Sequence, residues 1–251
     1  MIKFPSFFKK KAIIQGISAA IENIPCHVAV IMDGNRRWAE KRRLPKVAGY
    51  KYALEALRDI YNACIETGIK YLTIYAFSTE NNFRPKDEVQ YLEWLFVEAI
   101  NTEAEALRKK NVKIRFVGRL NEIKKEEMLA KIAEIENATG SNTGLNMQVM
   151  YNYGGRAEIV DACKKIAKLS KSHGNLTIDE KLISENLYLP DIPDPDFLIR
   201  TGGDMRISNF LLWEIAYSEI LVTETFFPDF RKKEFLSAIR DYSNRMRRFG
   251  R

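Results

Sequence analysis

Four short stretches of this chain bring small polar side chains and arginine together, three of them with glycine. They are Asp33-Gly34-Asn35-Arg36-Arg37, Ser78-Thr79-Glu80-Asn81-Asn82-Phe83-Arg84, Asn152-Tyr153-Gly154-Gly155-Arg156 and Arg200-Thr201-Gly202-Gly203-Asp204-Met205-Arg206. Turn chemistry accounts for the glycines and asparagines, but not for an arginine in every stretch. Guanidinium groups on converging loops repel one another unless an anion lies between them, and the planar fork of arginine matches phosphate oxygens. Glycine lets backbone N–H groups approach such an anion, and a following helix N-terminus adds its dipole. Surface arginines on unrelated loops are the alternative reading. Asp33 is a carboxylate among these cations, the kind of ligand that holds Mg²⁺ against a diphosphate. An Asp-Gly pair is also a common turn. Neither G-x-x-x-x-G-K-[ST] nor G-x-G-x-x-G occurs, so the pattern is a phosphate site without a mononucleotide fingerprint.

The elements that would carry these stretches are legible as periodicities. Apolar runs of strand length lie at 27–32, 71–77, 145–151 and 197–199, and each is followed by one of the four stretches. Val112, Ile114 and Phe116 alternate as a further strand that ends at Gly118. Helical spacing runs through Tyr50, Ala53, Leu54, Leu57, Ile60, Tyr61 and Cys64, with Gly68 placed to end the helix. Further helices are expected over about 87–110, 122–138, 156–169, 207–217 and 235–246, with a short one capped by Thr177 and Glu180. Strands alternating with helices predict one α/β domain: a mostly parallel central sheet flanked by helices, with ligands bound at the carboxyl ends of the strands.

Composition narrows the classes of function. The 251 residues carry a net charge of +7, and 46% are hydrophobic, enough for one large domain with a sizeable core and an anionic partner. The basic residues are dispersed, and no zinc-finger, RNA-recognition or basic-zipper pattern appears, which argues against nucleic acid. Cys26, Cys64 and Cys163 form no C-x-x-C and read as small buried residues in a reducing compartment. His27 and His173 sit in no ligand-spaced cluster. Residues 1–25 form a basic and apolar extension before a domain at 26–251. Its aromatics beside Lys9-Lys10-Lys11 admit two readings, a solvated tail, which is favoured, or a segment resting on an anionic membrane surface. The apolar part is too short and interrupted to span a bilayer.

The longer strings carry a resemblance. His27 to Ala39 (HVAVIMDGNRRWA), Tyr75 to Asn81 with Arg84-Pro85, Asn152 to Arg156, Ile199 to Asp204 continuing through Arg206 to Trp213 and Ala216 to Glu219, and the tail Arg247-Arg248-Phe249-Gly250 resemble, in order, the signatures of the cis-prenyltransferases. The resemblance covers residues 26–250. It implies an enzyme that condenses isopentenyl diphosphate onto an allylic diphosphate, farnesyl diphosphate, to give a long cis-polyprenyl diphosphate. The product implied is undecaprenyl diphosphate for a cell-wall carrier lipid, with a shorter-chain synthase or a non-catalytic partner subunit as alternatives. It further implies Mg²⁺ as cofactor, a homodimer and an apolar product tunnel between helices and sheet. The expected location is cytoplasmic, with peripheral contact at the inner face of the cell membrane as the alternative. No DDxxD motif of the trans-prenyltransferases occurs.

Residue by residue, the resemblance makes Asp33 the essential carboxylate that brings Mg²⁺ to the diphosphate and Glu219 a second acidic metal ligand. Gly34, Asn35, Arg37 and Lys46 surround the allylic diphosphate, with Arg84 assisting. Arg200, Arg206 and Ser208 hold isopentenyl diphosphate. Ser78, Asn81 and Glu88 belong to a segment that closes over substrate, Asn81 having a catalytic part. Arg36, Trp38, Tyr50 and Glu80 complete the substrate-contacting set, and Arg248 and Gly250 of one subunit reach the partner's site. The family pattern is broken at Lys46, Tyr50, Asn82, Phe83, Arg119, Asp204 and Met205. Trp94 is expected on the outer face of its helix; turned inward, it would shorten the product.

Overall fold

A computed structural model describes residues 23–174 and 176–245. The extension at 1–22, and with it the membrane-contact expectation, lies outside the described residues, as do Arg248 and Gly250. Six parallel strands form one sheet: β1 (His27–Ile31), β2 (Tyr71–Ser78), β3 (Lys113–Val117), β4 (Asn146–Tyr153), β5 (Phe197–Thr201) and β6 (Glu219–Thr223), in the order β3-β4-β2-β1-β5-β6. The helices are α1 (Asn35–Lys41), α2 (Ala48–Thr67), α3 (Lys86–Lys109), α4 (Glu126–Thr139), α5 (Gly155–His173), α6 (Glu180–Ser184) and α7 (Lys232–Ser243). No described helix is long and apolar enough to cross a membrane.

Burial on both faces explains the unbroken apolar strands: every residue of β1 and β5 is buried. The larger core joins one face of the sheet to α2, α3, α4 and α7 through residues such as Ile60, Leu72, Leu107, Met128 and Phe235. A smaller core on the other face gathers Ala29, Met150, Tyr153, Leu198, Phe210 and Ile215. Chain order reverses at β1, which has β2 on one side and β5 on the other. A crevice therefore opens at the carboxyl ends of β1 and β5, where the two directions of winding part.

Three expectations need correction. Residues 207–217 form turns: Ser208, Asn209 and Leu211 have φ of 50°, 61° and 45°, which no right-handed helix tolerates. Asn209 holds this loop, accepting from the N–H groups of Gly155 (2.7 Å) and Arg156 (2.9 Å) and donating to Glu80 (2.8 Å). The apolar spacing served instead to bury Phe210, Leu211 and Ile215 on the sheet. The cap of α6 is Asp179, whose Oδ1 accepts from Leu182 N–H at 2.8 Å, and not Thr177. Of the three cysteines only Cys64 is buried.

Candidate active site

The site begins with two strand ends locked together. Thr201, the last residue of β5, accepts the backbone N–H of Asp33 at 3.0 Å and donates its hydroxyl to the Asp33 carbonyl at 2.8 Å. Asp33 is thus fixed just past β1. Gly34 then turns the chain into α1 at φ 95°, a left-handed conformation that favours glycine. A Cβ there would come within 2.6 Å of Phe226 Cδ1.

Around Asp33 the charges are organised as a hub. Arg200 Nη2 donates to Asp33 Oδ2 at 2.7 Å, Gly34 N–H to Oδ1 at 2.6 Å, and Arg37 Nη2 lies 3.4 Å from Oδ1. Burial pushes the Asp33 carboxyl upward, but Arg200, Gly34 N–H and Arg37 outweigh it and hold the group below its ordinary range. Asp204 Oδ2 accepts from Arg37 (3.1 Å) and Arg206 (2.7 Å) and lies 3.9 Å from Arg200. Arg200 is only 3% exposed; its Nη1 donates to Ser208 Oγ at 2.7 Å and to the Arg206 carbonyl, while its Nε is buried with no protein partner. Asn35 Oδ1 is a buried acceptor in the same condition. Buried polar atoms without partners cost stability unless something else satisfies them, so both fit a polar ligand.

A second group reaches the same cavity through Tyr50 and Arg84. Arg84 Nη1 donates to Tyr50 Oη (2.9 Å) and Glu88 Oε1 (3.1 Å), Tyr50 Oη donates to Glu88 (2.8 Å), and Arg36 lies 3.5 Å from Glu88 Oε2. Burial pushes the Tyr50 phenol well above its ordinary value. Asn81 Oδ1 accepts the N–H of Ser78 at 3.0 Å and caps the single turn after β2.

Asp33, Asn35, Tyr50, Ser78, Asn81, Arg84, Arg200, Arg206 and Ser208 line one cavity of about 400 Å³. Below them its wall is apolar: Leu54 and Leu57 of α2, Leu92, Leu95, Phe96, Ala99 and Ile100 of α3, and Ile74, Ile114, Met147 and Val149 of the sheet. Polar mouth and apolar interior are thus continuous.

Other expected residues stand elsewhere. Trp38 does not line the cavity: it is 5% exposed, donates its indole N–H to Asp229 at 2.8 Å and carries Arg42 over its ring. Lys46 pairs with Glu40 at 3.4 Å, and Glu80 is engaged with Asn209. Arg156 is exposed on the first turn of α5, outside the cavity wall. Glu219 begins β6 opposite Phe197, the amino end of the sheet, whereas Asp33 follows the carboxyl ends. It pairs with Arg245 at 3.2 Å, so one chain does not bring Glu219 and Asp33 to a common ion. Among the described residues no group of three or more acidic, histidine or cysteine side chains gathers. Trp94 is 57% exposed and packs on Tyr91, outside the cavity. Asp204, by contrast, is in sequence only a departure from the family pattern, yet it joins three arginines; an acid four residues after Arg200 on a glycine turn is its signal.

This architecture is that of an α/β protein with a cationic mouth at its strand ends and an apolar cavity beneath. Comparison with known proteins gives the family. Residues 31–250 match the family described as "Putative undecaprenyl diphosphate synthase". The chain is 49% identical over 228 residues to an isoprenyl transferase of Thermotoga maritima, covering 90% of this chain and 97% of the relative. It is 48% identical over 250 residues to one of Heliobacterium mobile, covering 96% and 94%. Its fold is similar to lavandulyl diphosphate synthase from Lavandula x intermedia in complex with dimethylallyl diphosphate (TM-score 0.87, 33% identity, 91% of this chain and 99% of that one). It is also similar to a "probable undecaprenyl diphosphate synthase" from Campylobacter jejuni (TM-score 0.78, 33% identity, 92% and 100%). The chain belongs to the cis-prenyltransferase family and is a prenyltransferase.

Proposed function

We propose that this enzyme condenses isopentenyl diphosphate onto farnesyl diphosphate, repeatedly, to make a long cis-polyprenyl diphosphate of the undecaprenyl class. The observation that carries the reading is the hub of Asp33, Arg37, Arg200 and Arg206 set directly above an apolar cavity. Asn35 with Arg36, Arg37 and Arg84 receives the allylic diphosphate, and Arg200, Arg206 and Ser208 receive isopentenyl diphosphate. The allylic C–O bond breaks and its electron pair leaves with the diphosphate. The isopentenyl double bond attacks the freed carbon, and loss of a proton leaves the new cis double bond. Negative charge grows on the leaving group, where preorganised guanidinium groups stabilise it.

Mg²⁺ fits this site through hard oxygen ligands, the Asp33 carboxylate and the unpartnered Asn35 Oδ1, because such ions take one or two protein carboxylates and complete their shell with phosphate and water. When bound it neutralises charge on the diphosphate. Glu219 and the tail at 248–250 enter this reading only from a second subunit of a homodimer. A shorter product is the second reading, favoured by the cavity volume, which is that of a small-ligand pocket. Mass spectrometry of the product that the purified chain makes from farnesyl diphosphate, isopentenyl diphosphate and Mg²⁺ decides. A ladder ending at a long chain is expected, a short terminus selects the second reading, and no incorporation refutes both.

A further inference from the structure

The apolar wall of the cavity is interrupted at one depth. Arg58 and Tyr61 of α2 and Glu103 of α3 line it together. Arg58 donates through Nε (2.7 Å) and Nη2 to Glu103 Oε1, and Tyr61 Oη donates to Glu103 Oε2 at 3.1 Å. By helical rise the cluster lies about 12 Å below Tyr50 along α2. Apolar lining resumes past it, at Leu107, Ile114, Ile135 and Met147. Arg58 is 45% exposed and Glu103 15%, so the ion pair spans the wall between α2 and α3 from solvent to cavity.

Nothing at the mouth requires this pair. Glu103, 15% exposed, is the largely buried half of the pair, and a carboxylate held against an apolar lining costs more there than hydrocarbon would. A hydrocarbon chain advancing along the cavity meets a carboxylate whose hydrogen bonds it cannot replace and whose remaining hydration it would strip. The chain cannot widen the cavity there without parting the two helices at their ion pair. Resting on the proposed activity, we infer that the Arg58–Glu103–Tyr61 cluster is a polar latch that limits product length. The apolar space beyond it is reached when the latch gives way.

The test replaces Arg58→Met together with Glu103→Leu, which removes both charges and leaves no orphan ion, and separately Glu103→Gln, which keeps the shape and part of the hydrogen bonding. Product ladders from labelled isopentenyl diphosphate are compared with wild type. The double variant is expected to shift the dominant product upward by one or more five-carbon units, and Glu103→Gln by less. Arg231→Met, which removes a surface contact from Arg231 to Asp59 of α2, serves as a control that should lower stability without moving the ladder. An unchanged or shortened ladder in both latch variants overturns the inference while leaving the activity standing. A wild-type chain that makes no prenyl product overturns the activity and the latch with it.

Discussion

Replacing Asp33 with alanine tests the site at its centre. The variant removes the anion that Arg200 contacts at 2.7 Å and Arg37 approaches at 3.4 Å. Two unit charges about 4 Å apart attract by about 4 kcal/mol at an effective dielectric of about 20. The Asp33 side chain is 29% exposed, and Arg200 keeps Ser208 Oγ and the Arg206 carbonyl, so the stability loss should be about 1–3 kcal/mol. For a chain of this size that is a fall in Tm of roughly 2–12 °C. Catalysis should suffer more: loss of one preorganised electrostatic group lowers kcat by the order of 10²–10³, about 3–4 kcal/mol. Turnover is measured by labelled isopentenyl incorporation at saturating substrate and Mg²⁺, at a temperature well below the variant's own Tm. Near-normal turnover in the folded variant refutes the assignment. So would a loss that vanishes on cooling, since Asp33 would then serve only to hold Arg200.

Two further predictions probe other parts of the fold. Gly34→Ala should lower both stability and turnover, because φ 95° costs a residue with a Cβ about 1–2 kcal/mol and Phe226 stands in the way; wild-type Tm and turnover would show that the turn relaxes freely. Glu214 is pushed up to about 8 by burial and by facing Glu158, a carboxylate only 2% exposed that accepts from Tyr153 Oη and Tyr188 N–H. The folded chain then keeps a proton that the unfolded chain sheds near its ordinary value of about 4.3, so stability falls as pH rises from there to about 8 and levels off above. Glu214→Gln should flatten the dependence of Tm on pH in that window, and a profile parallel to wild type refutes the coupling.

The legible part of the molecule is what short-range physics dictates. β1 and β5 are buried on both faces, and their apolar runs said so directly. Gly68 ends α2 at φ 81°, as a left-handed terminator should. What escaped depends on contacts between distant segments. The turns at 207–217 hold helix-like spacing, but Asn209 reaches Glu80 and the start of α5, and three left-handed residues follow from that anchoring. β6 is a five-residue edge strand, and nothing local separates Glu219–Thr223 from a loop until β5 lies beside it.

The same division runs through the site. An arginine at each of four strand ends suggested four partners for one anion, yet the sheet order sorts them. Arg37 and Arg200 converge because β1 and β5 are neighbours, whereas Arg156 follows β4, two strands from β1 on the other side, and stays exposed. Residue type proposes a ligand, and adjacency in the sheet decides which copies of that type can share it. Glu219 illustrates the rule in reverse: its strand lies next but one to β1, but it stands at the wrong end. About four residues of strand, at roughly 3.3 Å each, separate the two ends, far beyond the reach of one ion's ligands.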